Sequence, residues 1–565
     1  MAGSRAHRRQ ALRPHRAVIC LVVTTVPGIS GEDGSAPPSK VRYFKTPRKR
    51  RRWPWVLFYT VWAVVGVGAA LVWGVDRAAQ HVIDQISPNN ASNKAAKSVL
   101  VRATGPDTTF IILGSDHRSW VPGSETLSDS IVLVHMSPQQ NLVSIMSLPR
   151  DLQVTVPGYQ GVQKVNAAFA LGGPKLSIQT VEQNLGVPIN HYVDVGFQGF
   201  FQIVQNMGGL YTQVDRRYYN PLGTGYSPID LQPGYQILNG NQALAFARFR
   251  HTDTDIVRAA RQQQIILDLK HQASAKLGFS DIPGLLTAIE NSIQTDVHSF
   301  SELINIGQFL LRLPHGRIFH TTLQVGFSNV PGQPSYDIAS PQQIQSSVYA
   351  FLHPLAVAGR QFTTKTVTNH PAPVTTTPGA SASTAATAKA KAAAAAAAAN
   401  KIPSGLVVDS APAAALKGLG LVGLPLLVPS LRNSNSQLDS AVPVRAYTIP
   451  GGPNGGWPSV VEVFANGQQA GSYYDVQETR LSSPPVMQSP TSKIYAGPRT
   501  YDLFQDGSVL RYVGFWQNHT WYWISNTFSG ALTPAQMVGI AASLQPSSRP
   551  VAAPKGLGLL THGLA

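Results

Sequence analysis

Acidic and basic residues stand at the ends of predicted strands, where an α/β sheet usually builds its functional site. Asp116 comes shortly after a strand predicted over 109–113, and Asp129 directly precedes a second one over 130–135. Arg150 follows a third predicted strand. Carboxylates bind hard cations such as Mg²⁺ and Mn²⁺, which in turn bridge to phosphate oxygens. The pattern indicates a metal and phosphate site, with ordinary turn formation by the two aspartates as the alternative.

Arginines further along the chain favour the same chemistry. If the segment around Arg248 and Arg250 is extended, both side chains lie on one face. Arg258 and Gln262 are four residues apart on a predicted helix and share one face, and Arg261 lies on the same turn. Arginine at a helix start opposes the helix dipole, which prefers anions there. Because guanidinium groups match phosphate oxygens bidentately, we expect an external polyphosphate, with surface salt bridges as the alternative.

The elements that must position these residues alternate between two periodicities. Strands are predicted over 109–113, 130–135 and 141–148, and helices over 177–185, 197–207 and 255–272. Strands mixed with helices predict a layered α/β domain.

These residues lie in blocks that resemble the LytR–CpsA–Psr (LCP) family of bacterial cell-wall glycopolymer ligases. The blocks are residues 110–116, 128–133, 147–151, 164–169 with 172–173, 238–244 with 248–250, and 255–264. The resemblance covers residues 107–275 and continues more loosely to 355. It implies an α/β/α domain with a central mixed sheet.

The resemblance also implies a metal-dependent phosphotransferase that moves a glycopolymer from a polyprenyl-pyrophosphate carrier to a peptidoglycan sugar hydroxyl, with pyrophosphatase side activity. Asp116 and Asp129 would hold Mg²⁺ or Mn²⁺. The residues that would bind the pyrophosphate oxygens are Arg150, Arg248, Arg250, Arg258, Arg261 and Gln262. The family usually has an arginine where this sequence has Leu127, and Arg118 is a candidate replacement.

A lipid carrier needs an apolar groove, because ligand pockets are mostly apolar. The candidate lining residues are Phe169, Tyr192, Val193, Phe197, Phe200, Phe201 and Ile203. Core packing is the alternative for each of them.

The N-terminus predicts attachment to the bacterial cell membrane. Residues 1–52 hold 13 Lys/Arg and 2 Asp/Glu, and so carry +11 of the chain's net charge of +17. Five consecutive cations, 48–52, precede an uncharged stretch, 53–75, whose length of about 34 Å suffices to cross a bilayer. Basic residues on the near side place the tail in the cytoplasm and everything after the span outside the cell.

The remaining chain divides by composition into further segments. They are a juxtamembrane stalk over 76–106, the LCP-like domain over 107–355, a Pro/Thr/Ala-rich linker over 356–440, a small separate β-rich α+β domain over 441–547 and a tail over 548–565. In the last domain, Trp516, Trp521, Tyr522 and Trp523 are interpreted as core residues, with sugar stacking as the alternative. One cysteine excludes a disulfide framework and a Cys-based zinc site.

Two other functions remain open at this point. An enzyme is favoured, and the first alternative is a non-catalytic binder of lipid-linked wall polymer, which Leu127 supports. A membrane-tethered transcriptional regulator is less favoured, because the basic tail has no helix-turn-helix pattern and its charge is explained by membrane orientation. We therefore expect the lipid-linked polymer, peptidoglycan and the membrane as partners, and no nucleic acid.

Overall fold

The structure is a computed structural model. It describes residues 77–115 (without 78, 79 and 82), 128–223, 227–249, 252–276, 293–328, 334–358, 402–417, 424–467, 471–496 and 499–546. The predicted basic tail and the predicted span over 53–75 lie outside these residues. Among the helices that are described, none has the length and apolar character needed to cross a bilayer.

The first part of the chain, up to residue 358, alternates strands and helices. Its strands are β1 (Thr108–Ser115), β2 (Ser128–Ser137), β3 (Leu142–Leu148), β4 (Gln153–Thr155), β5 (Val162–Lys164), β6 (His191–Gly196), β7 (Leu210–Val214), β8 (Tyr218–Asn220), β9 (Ile229–Leu231), β10 (Gly234–Leu238), β11 (Ile293–Thr295), β12 (Ile318–Thr322), β13 (Gly326–Ser328) and β14 (Tyr336–Ile338). Its helices are α1 (Ala91–Lys97), α2 (Ala167–Leu185), α3 (Phe197–Asn206), α4 (Gly240–Arg248), α5 (Asp255–Lys276), α6 (Phe300–Arg312), α7 (Pro341–Leu352) and α8 (Pro354–Ala358).

A six-stranded mixed sheet forms the centre of this part, in the order β11-β6-β1-β2-β3-β12. β1 runs parallel to β6, and β3 runs parallel to β12, whereas the other neighbours are antiparallel. All seven residues of β3 are buried, as expected for a central strand covered on both faces. The three strands predicted from the sequence are β1, β2 and β3, so that prediction is confirmed.

Helices cover both faces of the sheet. Ile111 and Leu133 pack on one face with Ile178 of α2 and Phe351 of α7. Phe110 and the next alternate side chains pack on the other face with α5 and α6. Because successive strand residues point to opposite faces, one sheet supplies both cores. The predicted α/β/α layering with a central mixed sheet is confirmed.

The C-terminal module also consists mostly of strands. They are β15 (Leu406–Val408), β16 (Leu427–Pro429), β17 (Leu431–Asn433), β18 (Ser436–Leu438), β19 (Val444–Ile449), β20 (Trp457–Asn466), β21 (Tyr473–Thr479), β22 (Ser492–Ala496), β23 (Arg499–Asp506), β24 (Val509–Gln517), β25 (Thr520–Ser525) and β26 (Leu544–Pro546). Its helices are α9 (Ala411–Lys417) and α10 (Pro534–Ala542). Strands β18 to β25 form one eight-stranded sheet.

The predicted boundary at residue 441 is wrong for this module. Leu406, Leu427 and Leu431, which were assigned to the linker, pack in the same core as Phe464 and Val513. Their strands are only three residues long, too short to show a period-2 pattern, and this explains why composition alone suggested a linker. The core of the module therefore includes residues from Ile402 onward within the part of the chain that is described.

The module is not separate from the first part, contrary to the prediction. Tyr235 of β10 is 1% exposed and shares a core with Trp523 and Tyr512 of the module. The ring centroids of Tyr235 and Trp523 lie 5.5 Å apart in an edge-to-face arrangement. Trp523 and Tyr522 are core residues as expected, whereas Trp516 is 43% exposed. The two parts fold against one continuous apolar interface.

Polar contacts also join the two parts. Arg445 Nη1 donates to the carbonyl of Pro233 at 2.6 Å. Tyr447 Oη lies 3.0 Å from the carbonyl oxygen of Tyr235 and 3.0 Å from Gln477 Oε1. Gln264 Nε2 of α5 lies 3.1 Å from Tyr512 Oη of the module. These bonds fix the module directly against β10 and α5.

We predict that Tyr447→Phe lowers the free energy of unfolding by about 1 kcal/mol, because it removes a hydrogen bond across this interface. Tyr495→Phe is the matched control, since Tyr495 is 76% exposed and its hydroxyl faces solvent. Chemical denaturation of the full chain measures both changes. Equal stability of the two variants would contradict the role given to Tyr447.

A second prediction concerns Asp268 of α5, whose carboxylate is bonded by Thr212 Oγ1 at 2.6 Å and by Gln264 Nε2 at 2.9 Å. Burial raises the pKa of Asp268 to about 7. The folded chain thus keeps a proton on Asp268 that an unfolded aspartate releases near its ordinary pKa of about 4. Because the folded chain binds this proton more tightly, Asp268 stabilises the fold below pH ~4, and this contribution is lost as the pH rises towards ~7. The Asp268→Asn variant has no titrating group at this position and lacks this pH dependence. The difference in unfolding free energy, variant minus wild type, should therefore rise by about 1.4 kcal/mol per pH unit between pH ~4 and ~7.

The control for this pH series is Asp84→Asn, because Asp84 is exposed. Denaturation at a series of pH values from about 4 to 7 gives both profiles. Parallel profiles for wild type and Asp268→Asn would contradict the prediction.

Candidate functional site

Four strand ends meet at one edge of the central sheet. Ser115, the last residue of β1, pairs with Gly196 at the end of β6 and with Ser128 at the start of β2. Leu148, the last residue of β3, pairs with Ile131 near the start of β2. We call this edge the catalytic edge, because the predicted site residues follow or precede these strand ends.

The two aspartates predicted to bind metal belong to this edge by chain position. Asp116 directly follows Ser115 but lies outside the described residues. Asp129 lies in β2, where only its backbone is described, between residues paired with Gly114 and Ser115. That register shift leaves Asp129 as the extra residue of a β-bulge, a feature frequently found beside active sites because it redirects a side chain.

Arg150 lies two residues beyond the end of β3 at the same edge. Its Nε is 3.6 Å from Asp151 Oδ2, and its side chain is 20% exposed. Asp151 in turn accepts a hydrogen bond from Lys164 Nζ at 2.8 Å. The guanidinium group of Arg150 therefore lies beside a carboxylate and remains partly accessible.

Arg248 does not lie on an extended segment, as the sequence suggested, but ends helix α4. Asn239 and Gln242 form a capping box that starts this helix, which explains the difference. The Arg248 guanidinium stacks 4.1 Å from the ring centroid of Phe197, the residue that follows β6. Arg248 is thus brought to the catalytic edge, whereas Arg250 lies outside the described residues.

The first turns of α5 reach the same edge. Gln263 Nε2 donates to Ser147 Oγ near the end of β3 at 2.9 Å. Gln262 Nε2 donates to the carbonyl of Ala247 at 3.2 Å. Arg258, one turn earlier, is 5% exposed. These bonds hold the start of α5 against α4 and β3, so Gln262 lies beside the end of α4, where Arg248 stands.

Arg261 has a different environment from the other arginines. It is fully buried and pairs with Asp253, which also pairs with Arg216. Its Nη2 donates to the carbonyl of Phe249 at 2.6 Å, and Tyr218 packs against both guanidinium groups. Since its anion is internal, Arg261 is left out of the substrate-binding set that the sequence suggested.

This Arg216–Asp253–Arg261 cluster was missed in the sequence. Asp253 stands two residues before α5, within the loop that connects α4 to α5. Its burial fixes the direction in which α5 leaves the loop. The sequence does show an aspartate, Asp253, close to several arginines. Residue type alone, however, does not tell whether such an aspartate is buried in an ion pair or exposed to solvent.

The predicted apolar groove divides into two groups. Phe169 and Tyr192 are 8% and 0% exposed and belong to the core under the sheet, so the alternative of core packing applies to them. Tyr192 Oη donates to Asn93 Oδ1 at 2.7 Å. The partly exposed group consists of Val193, Phe197, Phe200, Phe201 and Ile203. Val193 and Phe200 of this group pack partly against buried clusters, which leaves Phe197, Phe201 and Ile203 on α3 as the candidates for contact with a lipid chain.

The donors at the edge have the chemistry that a hard divalent cation requires. Asp116 and Asp129, predicted as the metal ligands, carry carboxylates and stand next to adjacent strand ends in the sequence, and carboxylate oxygens suit Mg²⁺ or Mn²⁺. Within the described residues, which exclude these two side chains, no group of three or more His, Cys, Asp or Glu side chains is placed to hold a metal ion.

Comparisons with known proteins identify relatives of this chain. The family model described as the LytR_cpsA_psr family matches residues 75–350. The chain is similar to the polyisoprenyl-teichoic acid–peptidoglycan teichoic acid transferase TagU of Enterococcus faecalis, with 32% identity over 251 residues, 43% of this chain and 77% of the relative. The TagU of Bacillus mycoides is 28% identical over 247 residues, 43% of this chain and 78% of the relative. A crystal structure of B. subtilis TagV is 24% identical, with a TM-score of 0.39, and covers 44% of this chain and 97% of that one.

Proposed function

Because the chain belongs to the LytR–CpsA–Psr family, we propose that it is an extracellular, membrane-anchored phosphotransferase of cell-wall assembly. Its donor is an anionic glycopolymer on a polyprenyl-pyrophosphate carrier, and its acceptor is a sugar hydroxyl of peptidoglycan. The relatives it resembles are named as polyisoprenyl-teichoic acid–peptidoglycan teichoic acid transferases. The observation that supports the proposal most directly is the convergence of four strand ends with Arg150 and Arg248 at the catalytic edge.

The proposed reaction replaces one phosphorus–oxygen bond by another. The acceptor hydroxyl oxygen bonds to the phosphorus nearest the polymer, and the bond from that phosphorus to the bridging oxygen breaks. Polyprenyl monophosphate leaves with the electron pair, and the hydroxyl proton passes to Asp116. The product is a phosphodiester between polymer and peptidoglycan.

Charge stabilisation is the main requirement of such a transfer, because negative charge spreads over nonbridging and leaving oxygens. Arg150, Arg248, Arg250 and Arg258 are assigned to those oxygens, together with Gln262. Arginine is suited to this task because its fork donates two parallel hydrogen bonds to one phosphate. Mg²⁺ or Mn²⁺, held by Asp116 and Asp129, would neutralise further charge when bound. The partly exposed apolar residues of α3 are assigned to the polyprenyl chain.

A non-catalytic binder of the same lipid-linked polymer is the second candidate, and Leu127 favours it. The full chain in lipid vesicles, supplied with a lipid-pyrophosphate saccharide and Mg²⁺ or Mn²⁺, separates the two functions. An enzyme releases polyprenyl phosphate and transfers the saccharide to peptidoglycan fragments, and in their absence slowly hydrolyses the pyrophosphate. A binder retains the intact donor under all of these conditions, with or without the metal.

A further inference from the structure

A polar cavity of about 600 Å³ opens on the C-terminal module. Its walls are the turn before β18, β18 itself, the end of β20 and the start of β21. The residues that line it are 432, 434–437, 465–467 and 471–473. This volume lies within the range of about 300–1,000 Å³ that is usual for small-molecule sites.

The lining favours a neutral ligand with many hydroxyl groups. Asn435 and Gln437 are exposed and present amide groups, which both donate and accept hydrogen bonds. Among the described lining residues the charged one is Arg432, whose Nε already lies 2.8 Å from Asp409 Oδ2. Its charge is therefore neutralised inside the protein, and a phosphate group gains little in this cavity.

Two further features fit a sugar ring. Ser472 is 4% exposed and lines the cavity, and within the described residues its Oγ has no hydrogen-bond partner. A buried hydroxyl without a partner destabilises the fold, and a hydrogen bond from a ligand hydroxyl would remove that cost. Tyr473 adds a partly exposed ring to the same wall, and aromatic rings pack against the apolar faces of sugars.

The same wall touches the loop that leads into α5. Gly471 has φ +76°, and a Cβ placed on it would lie 3.3 Å from Asp253 Oδ1. The Tyr473 ring centroid lies 5.3 Å from the Arg216 guanidinium carbon. Since Asp253 binds Arg216 and Arg261 at the start of α5, the cavity adjoins the segment that positions Arg258.

We propose that this cavity is a saccharide subsite that holds a sugar unit of one of the two glycan substrates beside the Arg216–Asp253–Arg261 cluster. The identity of those glycans depends on the proposed function. The existence of a saccharide site does not, because it is inferred from the cavity itself. It gives the C-terminal module a role in substrate binding in addition to its role in folding.

The experiment measures binding to the full chain by calorimetry, with two probes that separate the sources. One probe is a peptide-free peptidoglycan tetrasaccharide, and the other is wall polymer freed from its lipid. The wild type should bind one of them, and the double variant Asn435→Ala/Gln437→Ala should raise that Kd at least tenfold. Gln505→Ala, the same change on β23 outside the cavity, should leave the Kd unchanged.

Binding of neither probe by the wild type, or wild-type affinity in the double variant, overturns the proposal. If the double variant melts at a lower temperature than wild type, Ser472→Ala is held to the same criterion of weaker binding. Arg150→Ala lies outside the cavity and should bind the saccharide as wild type does while losing transfer. Saccharide binding without any transfer by the wild type would therefore leave the subsite standing and reject the proposed enzyme.

Discussion

Arg150→Ala is expected to lower the rate of glycopolymer transfer by about 100- to 1,000-fold, the usual loss when one positioned donor to a developing negative charge is removed. Arg150 lies at the catalytic edge beside the end of β3, with its side chain partly exposed. The change should leave the melting temperature almost unaltered, because Arg150 is not part of either core. Transfer of labelled saccharide to peptidoglycan fragments measures the effect.

Two companion variants sharpen this test. Arg150→Lys keeps the charge but loses the planar fork, so it should recover only part of the rate. Arg102→Ala removes an exposed arginine between α1 and β1 and should transfer at the wild-type rate. The segment over 76–106, which the sequence assigned to a stalk, packs into the domain at Ala96. Arg258 is a less clean target, since at 5% exposure its alanine variant also tests packing. Normal turnover in Arg150→Ala would remove this residue from the proposed site.

Asp253→Asn is expected to destabilise the folded chain by about 3–5 kcal/mol, because it leaves two buried guanidinium groups without their carboxylate. The side chains of Asp253 and Arg261 are both 0% exposed, and that of Arg216 is 10% exposed. Denaturant unfolding of the full chain gives the change in free energy. The start of α5 should also lose its position, so transfer should fall together with stability.

The matched control is Asp230→Asn, which breaks an ion pair on the surface. Arg217 Nε lies 3.0 Å from Asp230 Oδ1, with the two side chains 39% and 50% exposed. Solvent screens such a pair, so the loss should be below about 1 kcal/mol. Similar losses in the two aspartate variants would mean that burial of the Arg216–Asp253–Arg261 cluster does not contribute as we infer.

The sequence predicts the central sheet well, because β1, β2 and β3 are mostly apolar segments whose ends carry turn and charged residues. The catalytic edge follows from those ends, since the strands must align once they are paired. Helix α4 was predictable too, because Asn239 and Gln242 have the spacing of a capping box. The interpretation of Arg248 as extended overlooked that local signal.

Other features depend on tertiary packing that no local pattern records. An arginine at the start of a helix has the same sequence signature whether its anion is a substrate phosphate or a buried aspartate. Arg261, one of the arginines that the sequence assigned to the substrate, instead pairs with the buried carboxylate of Asp253. The shared core around Tyr235 and Trp523 likewise joins residues almost three hundred positions apart.

The most direct measurement follows the phosphorus atom of the donor. The full chain in vesicles receives a lipid-pyrophosphate saccharide labelled on the phosphate nearest the sugar, together with peptidoglycan fragments and Mg²⁺ or Mn²⁺. We predict that the label appears in a phosphodiester with peptidoglycan, that unlabelled polyprenyl monophosphate is released, and that both products are lost in Arg150→Ala. Two results would contradict a pyrophosphate-binding transferase: recovery of the donor intact, or transfer of the saccharide to peptidoglycan without the labelled phosphate.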